Sequence, residues 1–247
     1  MLEIGIDFMK KYFAGFLLFV YLFIVNGIVR AYTFVPTELE FEAWPYKCKA
    51  IYVGTTVGKK TTFSNRIPAK EVNEWRTIAQ HEGGAWHYCA GLVYLSRGRT
   101  ERFPEAKKVH LDRALAEISY TYTRIKKGSP WTAEVGVSLA RVYRSLGESE
   151  KALDVLQKII RIAPEYAHPY FLSALIYKDK NDLKAAKEVL LTGNKKISHK
   201  SADMFYMLGL VSLKLGEITK AREYADTAYD LGYPLPWLKN ELVKIKK

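Results

Sequence analysis

The run from Gly54 to Thr61 carries residue types that could bind a phosphate group. A phosphate-binding loop needs four residues between its two glycines and a hydroxyl residue directly after its lysine. Here three residues separate Gly54 from Gly58, and Lys60 rather than a hydroxyl residue follows Lys59. No buried strand clearly precedes the run. We therefore interpret it as a polar surface turn.

A second candidate for chemistry is the group of His81, Glu82, His87 and Cys89. A zinc-protease helix needs its second histidine three residues after the glutamate. The next histidine is His87, and the glycines at 83–84 would break the helix before it. His87 and Cys89 are two positions apart, so a helix would point them to different faces. We expect no catalytic residue, no metal ligand and no bound cofactor.

The first thirty residues indicate the compartment. Lys10 and Lys11 precede an uncharged apolar run over 12–29, and 29–31 offers a cleavage site of modest and small residues. This layout is typical of a secretory signal peptide, although the run is also just long enough to span a bilayer. Cleavage after 1–31 and an uncleaved anchor both remain open, and both place the rest outside the cytoplasm.

We therefore predict an exported protein, with the periplasm as the expected compartment. The absence of an Asn-x-Ser/Thr sequon favours a bacterial periplasm over a eukaryotic secretory route. Inner-membrane anchoring and secretion are the alternatives. Outside the cytoplasm Cys48 and Cys89 are expected to form a disulfide, and closing that loop would stabilise the fold by about 4 kcal/mol. Two buried free thiols are the other interpretation.

The second half of the chain repeats itself at intervals of 34 to 35 residues. The turns at 146–152, 180–186 and 215–221 share a Gly or Asn, then an acidic residue, then an alanine. These residues are Gly147, Asn181 and Gly216, Glu148, Asp182 and Glu217, and Ala152, Ala186 and Ala221. The first set suits a left-handed helix C-terminus, the second the start of a helix, and the third a close approach of two helices. Each unit therefore predicts a helix pair that must stack on its neighbours.

These residues and their period resemble the tetratricopeptide repeat. The resemblance implies an all-α fold, a right-handed α-solenoid of helix hairpins with a short irregular N-terminal segment over 32–82. The repeat domain would span 83–247. Its units are expected at about 84–127, 133–166, 167–200 and 202–234, with a capping helix over 235–247.

The first unit is degenerate. Gly98 matches the turn, but the second helix arrives about eleven residues late. We expect helices near 84–97 and 107–126, joined by a longer loop that contains Pro104. Before the repeats, the sequence predicts a short helix over 46–53 and another that starts after Pro68.

In the tetratricopeptide family the first helices of successive units line a concave groove, where ligands usually lie. Carried over residue by residue, the resemblance places twelve side chains there: Tyr88, Leu92, Leu95, Arg141, Arg144, Phe171, Leu175, Lys178, Tyr206, Leu210, Leu213 and Lys214. This apolar, aromatic and basic lining suits an amphipathic helix or an extended peptide with an acidic group. The family's carboxylate clamp is not supported, since Val137 and Arg141 stand where it has Lys and Asn.

Two partner hypotheses follow. The first is a non-enzymatic scaffold or adaptor of an envelope or secretion-related assembly, which binds a protein or peptide in the groove. Self-occupation of the groove by residues 32–82 is its alternative. In the second hypothesis the protein binds an acidic polymer or lipid head groups through its basic surface. Its formal charge is +12, from 38 Lys and Arg against 26 Asp and Glu. We do not expect nucleic acid, and expect membrane contact only through an uncleaved N-terminus.

Overall fold

The computed structural model describes residues 34–198 and 200–245, and the predicted export segment 1–31 lies outside them. The described residues form twelve α-helices, one turn of 3-10 helix and no strand, which confirms the all-α class. None of these helices is both long and apolar enough to cross a membrane. The helices are α1 (Glu38–Ala43), α2 (Tyr46–Val53), α3 (Ala69–His81), α4 (Ala85–Thr100), α5 (Pro104–Arg124), α6 (Trp131–Ser145), α7 (Ser149–Ile162), α8 (Ala167–Asp179), α9 (Leu183–Lys196), α10 (Ala202–Lys214), α11 (Ile218–Asp230) and α12 (Trp237–Lys244).

Eight of these helices form four consecutive pairs: α4 with α5, α6 with α7, α8 with α9, and α10 with α11. Each second helix also packs on the first helix of the next pair. In addition, the first helices α4, α6, α8 and α10 contact one another in order, so together they form one continuous face. This succession is the predicted α-solenoid of helix hairpins.

The turns inside the last three pairs share one geometry. Gly147, Asn181 and Gly216 have φ of 79°, 62° and 77°, the left-handed conformation expected from the sequence. The amide that follows each of them donates to a carbonyl five residues earlier, at 2.8 to 2.9 Å. These bonds satisfy carbonyls that the helix end would otherwise leave without partners.

The repeated alanines lie where the helices of each pair press together. Ala152, Ala186 and Ala221 are fully buried. In the third pair, Ala186 and Leu190 of α9 join Tyr170 and Ala174 of α8 in one core cluster. A larger side chain at the alanine position would have to displace these neighbours, because protein cores are close-packed.

The first pair departs from the expectation of a longer loop, which was wrong. Only residues 101–103 connect α4 to α5, and the additional residues lengthen both helices. Gly98, assigned to the turn, lies inside α4, and a Cβ atom there would come within 2.6 Å of Cδ2 of Leu111. Pro104 is the first residue of α5, a position where its missing N–H costs nothing. It therefore starts the helix.

Residues 36–82, hereafter the N-terminal segment, fold as α1, α2, a 3-10 turn and α3. Thr37 and Glu40 form a reciprocal capping box at the start of α1. Phe41 and Phe63 stack with ring centroids 4.2 Å apart. Both α2, which has the bounds expected from the sequence, and α3 contact α4 of the first pair.

The sulfur atoms of Cys48 in α2 and Cys89 in α4 lie at disulfide distance, 1.98 Å apart, as the predicted pairing requires. Both cysteines are fully buried. The link therefore joins the N-terminal segment to the first repeat helix from within the core.

At the other end, α12 packs on the last pair through Leu238 and Leu242, which are buried among the alanines of α11. Its remaining apolar residues do not share this contact. Ile245 is 47% exposed, and Trp237 is 53% exposed. The terminal helix therefore covers the last pair but leaves part of its own apolar surface in water.

Candidate partner groove

The first-helix face is the surface on which the predicted groove residues lie. At the first-pair end the N-terminal segment covers this face. The indole Nε1 of Trp44 donates to the carbonyl of Cys89 at 3.0 Å. Lys47 forms an ion pair with Glu134 of α6, and its ammonium lies 4.1 Å from the ring centroid of Trp131. The chain's own residues thus cover the first-pair end of this face.

A cavity of about 410 Å³ lies next to this covered end. Its wall combines residues of the N-terminal segment with residues of α4, α6 and the start of α8; they include Trp44, Tyr88, Leu92, Val137, Arg141, Tyr166 and His168. Trp44 comes from outside the repeats, so the repeats alone do not build this cavity.

Both carboxylates that line the cavity have cationic partners. Arg97 donates to Glu40 through Nε at 2.6 Å and Nη2 at 2.9 Å, and these bonds lower the pKa of Glu40 against the opposing effect of burial. Glu134 pairs with Lys47 and accepts a hydrogen bond from the hydroxyl of Tyr88 at 2.8 Å. Burial, followed by the Glu134 charge, raises the pKa of Tyr88, so this phenol stays protonated as a donor.

Arg141 supplies the positive charge of the same cavity. Burial, followed by the charge of Arg141, lowers the pKa of His168 below its ordinary value. Burial raises the pKa of Tyr166, and Arg141 acts against that rise. At neutral pH the guanidinium therefore faces a neutral imidazole and a neutral phenol.

Farther along the face, two of the predicted groove cations are neutralised by one residue. Arg144 donates to Oδ2 of Asp179 through Nη2 at 2.6 Å and Nε at 3.0 Å. Lys178 lies 3.3 Å from the other oxygen of Asp179. The Arg144–Asp179 pair therefore links the second and third pairs, and both cations present less free charge than their sequence suggests.

The third and fourth pairs leave apolar side chains partly accessible on the face. Phe171 and Leu175 of α8 and Leu210 and Leu213 of α10 are half-buried. Lys214 is exposed at the end of α10. This stretch is the part of the predicted groove that remains open.

Three of the predicted groove residues are not accessible. Tyr88 and Leu95 are 1% and 5% exposed. Tyr206 is 7% exposed because the ring of Tyr233 stacks on it with centroids 3.8 Å apart. None of the three lies on the open stretch of the face, although Tyr88 lines the cavity.

Some residues of the site were missed by sequence reasoning. Trp44 lies outside the repeats, and Tyr166 and His168 lie at and just after the connection between two units, so the repeat register did not reach them. Asp179 could have been found. It follows Lys178, the position one period after Arg144, and equivalent positions of stacked repeats are neighbours in space.

The residues first considered for chemistry have other contacts. Nδ1 of His87 lies 2.6 Å from Oε2 of the buried Glu117, Cys89 is paired with Cys48, and His81 is exposed at the end of α3. Within the described ranges no group of three or more His, Cys, Asp or Glu residues could hold a metal ion.

The glycine-rich run also has a packing explanation. Residues 54–61 form turns and one turn of 3-10 helix, Gly58–Lys60. A Cβ atom at Gly58 would collide with the backbone carbonyl of Tyr52. The glycine is thus required by its close approach to the end of α2.

Comparison with known proteins supports the repeat assignment. The family described as "Tetratricopeptide repeat" matches residues 134–166, 167–193 and 202–231. Among solved structures, a thermophilic TPR protein of Thermus thermophilus is 18% identical, with a TM-score of 0.47, over 70% of this chain and 96% of that chain. No curated protein matches the chain. Residues 134–231 of this chain therefore carry three tetratricopeptide repeats.

Proposed function

We propose that this protein is a non-enzymatic adaptor outside the cytoplasm that holds a protein or peptide partner on the open stretch of its first-helix face. Tetratricopeptide repeats support a protein-interaction role in general. The observation that carries the groove is the half-buried apolar stretch of α8 and α10, whose side chains stay partly accessible although α12 contacts α10. A partly wet apolar surface of this kind favours a docked amphipathic helix or extended peptide.

The export part of the proposal rests on two observations. The sequence of residues 1–31 has the layout of a signal or anchor. The buried Cys48 and Cys89 lie at disulfide distance, and disulfides persist mainly in oxidising compartments. An alkaline phosphatase fused after residue 245 should therefore be active in a bacterial host, since that enzyme needs an oxidising compartment to fold; an inactive but intact fusion would contradict export.

Partner binding is tested with matched variants. Leu213→Gln places an amide on the open stretch, whereas Ile162→Gln makes the same kind of change at a 61% exposed position on α7, a second helix. A protein cross-linked in the envelope by the wild type and by the Ile162 variant should be lost with the Leu213 variant. Equal capture by all three proteins, or capture that disappears in high salt irrespective of the variant, would reject groove binding and favour the basic surface.

A further inference from the structure

The cavity beside the N-terminal segment contains one cation without a counter-ion. Arg141 is half-buried, and among residues 34–198 and 200–245 it forms no ion pair and no hydrogen bond through its side chain. Arg144, one helical turn further on, is bound by Asp179. A partly dehydrated guanidinium without an anion is unfavourable, and its planar fork matches a carboxylate in two parallel hydrogen bonds.

The rest of the cavity narrows the chemistry of the anion. Glu40 and Glu134 are already paired with Arg97 and Lys47. If either carboxylate turned to Arg141, its present partner would lose its counter-ion. Their negative charges also disfavour a doubly charged phosphate, because only one cation is unpaired. A single negative charge is the best match for a single free guanidinium.

The residues that line the cavity indicate the chemistry of the rest of the bound molecule. Trp44, Leu92 and Val137 contribute apolar side chains to the wall. The hydroxyls of Tyr88 and Ser138 lie 3.4 Å apart and add polar groups. A volume of about 410 Å³ falls within the range of ~300–1,000 Å³ typical of small-ligand sites.

We propose that this cavity binds a carboxylate joined to an apolar body, with Arg141 holding the carboxylate and the Trp44 side of the wall covering the apolar part. Because residues of α1 close one side of the cavity, the bound group is an end rather than the middle of a chain. Two sources share this chemistry, namely a free apolar carboxylic acid and the C-terminal residue of a peptide. The inference rests on the proposed function, because it names the group that binds at the covered end of the same first-helix face.

The test uses the whole exported chain and three probes: octanoate, an N-acetylated hexapeptide of five alanines and a C-terminal leucine, and the same peptide with a C-terminal amide. Binding is followed by calorimetry and by chemical-shift changes. We expect octanoate or the free-acid peptide to bind at least tenfold more tightly than the amide. Whichever acid binds more tightly identifies the source.

Arg141→Gln should abolish the preference for the acid, while Arg144→Gln, whose arginine lies on the same helix but is held by Asp179, should keep it. The Arg141 variant should fold normally, since that side chain has no partner to lose, and an unchanged circular dichroism spectrum checks this. Equal binding of acid and amide, no binding of either acid at millimolar concentration, or an acid preference that survives Arg141→Gln would overturn the proposal. If Arg141→Gln still captures the envelope partner and Leu213→Gln does not, the proposed function stands while this inference fails.

Discussion

At the scale of single residues, neighbours rather than residue type decide what each arginine of α6 does. Arg141 and Arg144 lie one turn apart, and both were expected to line the groove. Asp179 neutralises Arg144, whereas Arg141 faces the neutral side chains of Tyr166 and His168. The same comparison applies to carboxylates: Glu117 is buried with His87 and Arg113, while Asp112 pairs with Lys108 at the surface.

Glu117→Ala is expected to lower the free energy of unfolding by about 3 to 5 kcal/mol, because it leaves Arg113 without its buried counter-ion and Nδ1 of His87 without its hydrogen-bond partner. Chemical denaturation measures the change. Asp112→Ala is the matched control, since it removes an exposed ion pair from the same helix and should cost less than about 1 kcal/mol. Similar losses in both variants would mean that the buried group of charges does not contribute as described.

The Glu40–Arg97 pair should make stability depend on pH. Hydrogen bonds from Arg97 lower the pKa of Glu40 from its ordinary value of 4.5. A carboxyl with a lowered folded-state pKa stabilises the fold above its unfolded pKa, and this stabilisation is lost as the pH falls through the folded value. The difference in melting temperature between wild type and Glu40→Gln should therefore be largest near neutral pH and shrink below about pH 4.5. A difference that stays constant down to about pH 3 would contradict it.

At the scale of elements, short backbone signals set where each helix pair turns, and close contacts set how near its helices lie. The left-handed residues Gly147, Asn181 and Gly216 end the first helices of three pairs. In the first pair Gly98 instead stays helical and lets Leu111 approach. A glycine thus marks a turn in one pair and a contact in another, and only the partner helix distinguishes the two.

Asn181 offers a direct test of the turn geometry, because it is a non-glycine residue with φ of 62°. Asn181→Ala should destabilise the fold by about 1 kcal/mol, since a Cβ without a local hydrogen-bonding group is strained in this conformation. Asn181→Gly should be neutral or stabilising. Thermal or urea denaturation of both variants measures this, with Lys184→Ala as a control at an exposed helical position. Equal effects of Ala and Gly would exclude the left-handed turn.

At the scale of the whole molecule, the Cys48–Cys89 disulfide holds the N-terminal segment on one end of the first-helix face. The N-terminal segment lies on the first pair, where Cys48 and Cys89, Trp44 and the Lys47–Glu134 pair hold it. At the other end α12 packs on the fourth pair, yet Phe171, Leu175, Leu210 and Leu213 of the third and fourth pairs stay partly accessible. This division leaves the first-pair end of the face covered, with a cavity at its edge, and the other end partly accessible.

Removing the link should loosen the segment before it unfolds the repeats. Cys48→Ala with Cys89→Ala is expected to lower the free energy of unfolding by up to about 4 kcal/mol and to speed protease cleavage within residues 36–68. Denaturation and limited proteolysis followed by mass spectrometry measure the two effects. A reductant should shift the wild type towards the double variant and leave the variant unchanged; a wild type insensitive to reduction of both thiols would contradict the tether.

The sequence alone determined the helix pairs, because their period, turn residues and buried alanines are local signals that recur in register. It also identified α2 to the residue and the cysteine pairing, since an exported chain with two cysteines offers one intramolecular disulfide. The prediction of a longer loop at residues 98–104 was wrong. Glycine, as at Gly98, suits both a turn and a close contact between helices, and proline, as at Pro104, suits both a loop and a helix start.

Only the tertiary structure decided which groove residues are accessible and which charges are free. Tyr206 is covered by Tyr233, Arg144 is bound by Asp179, and Trp44 comes from outside the repeats to close the cavity beside Arg141. Burial and charge neutralisation depend on atoms brought together from distant parts of the chain. A repeat register predicts which way a side chain points, but not what other segment meets it there.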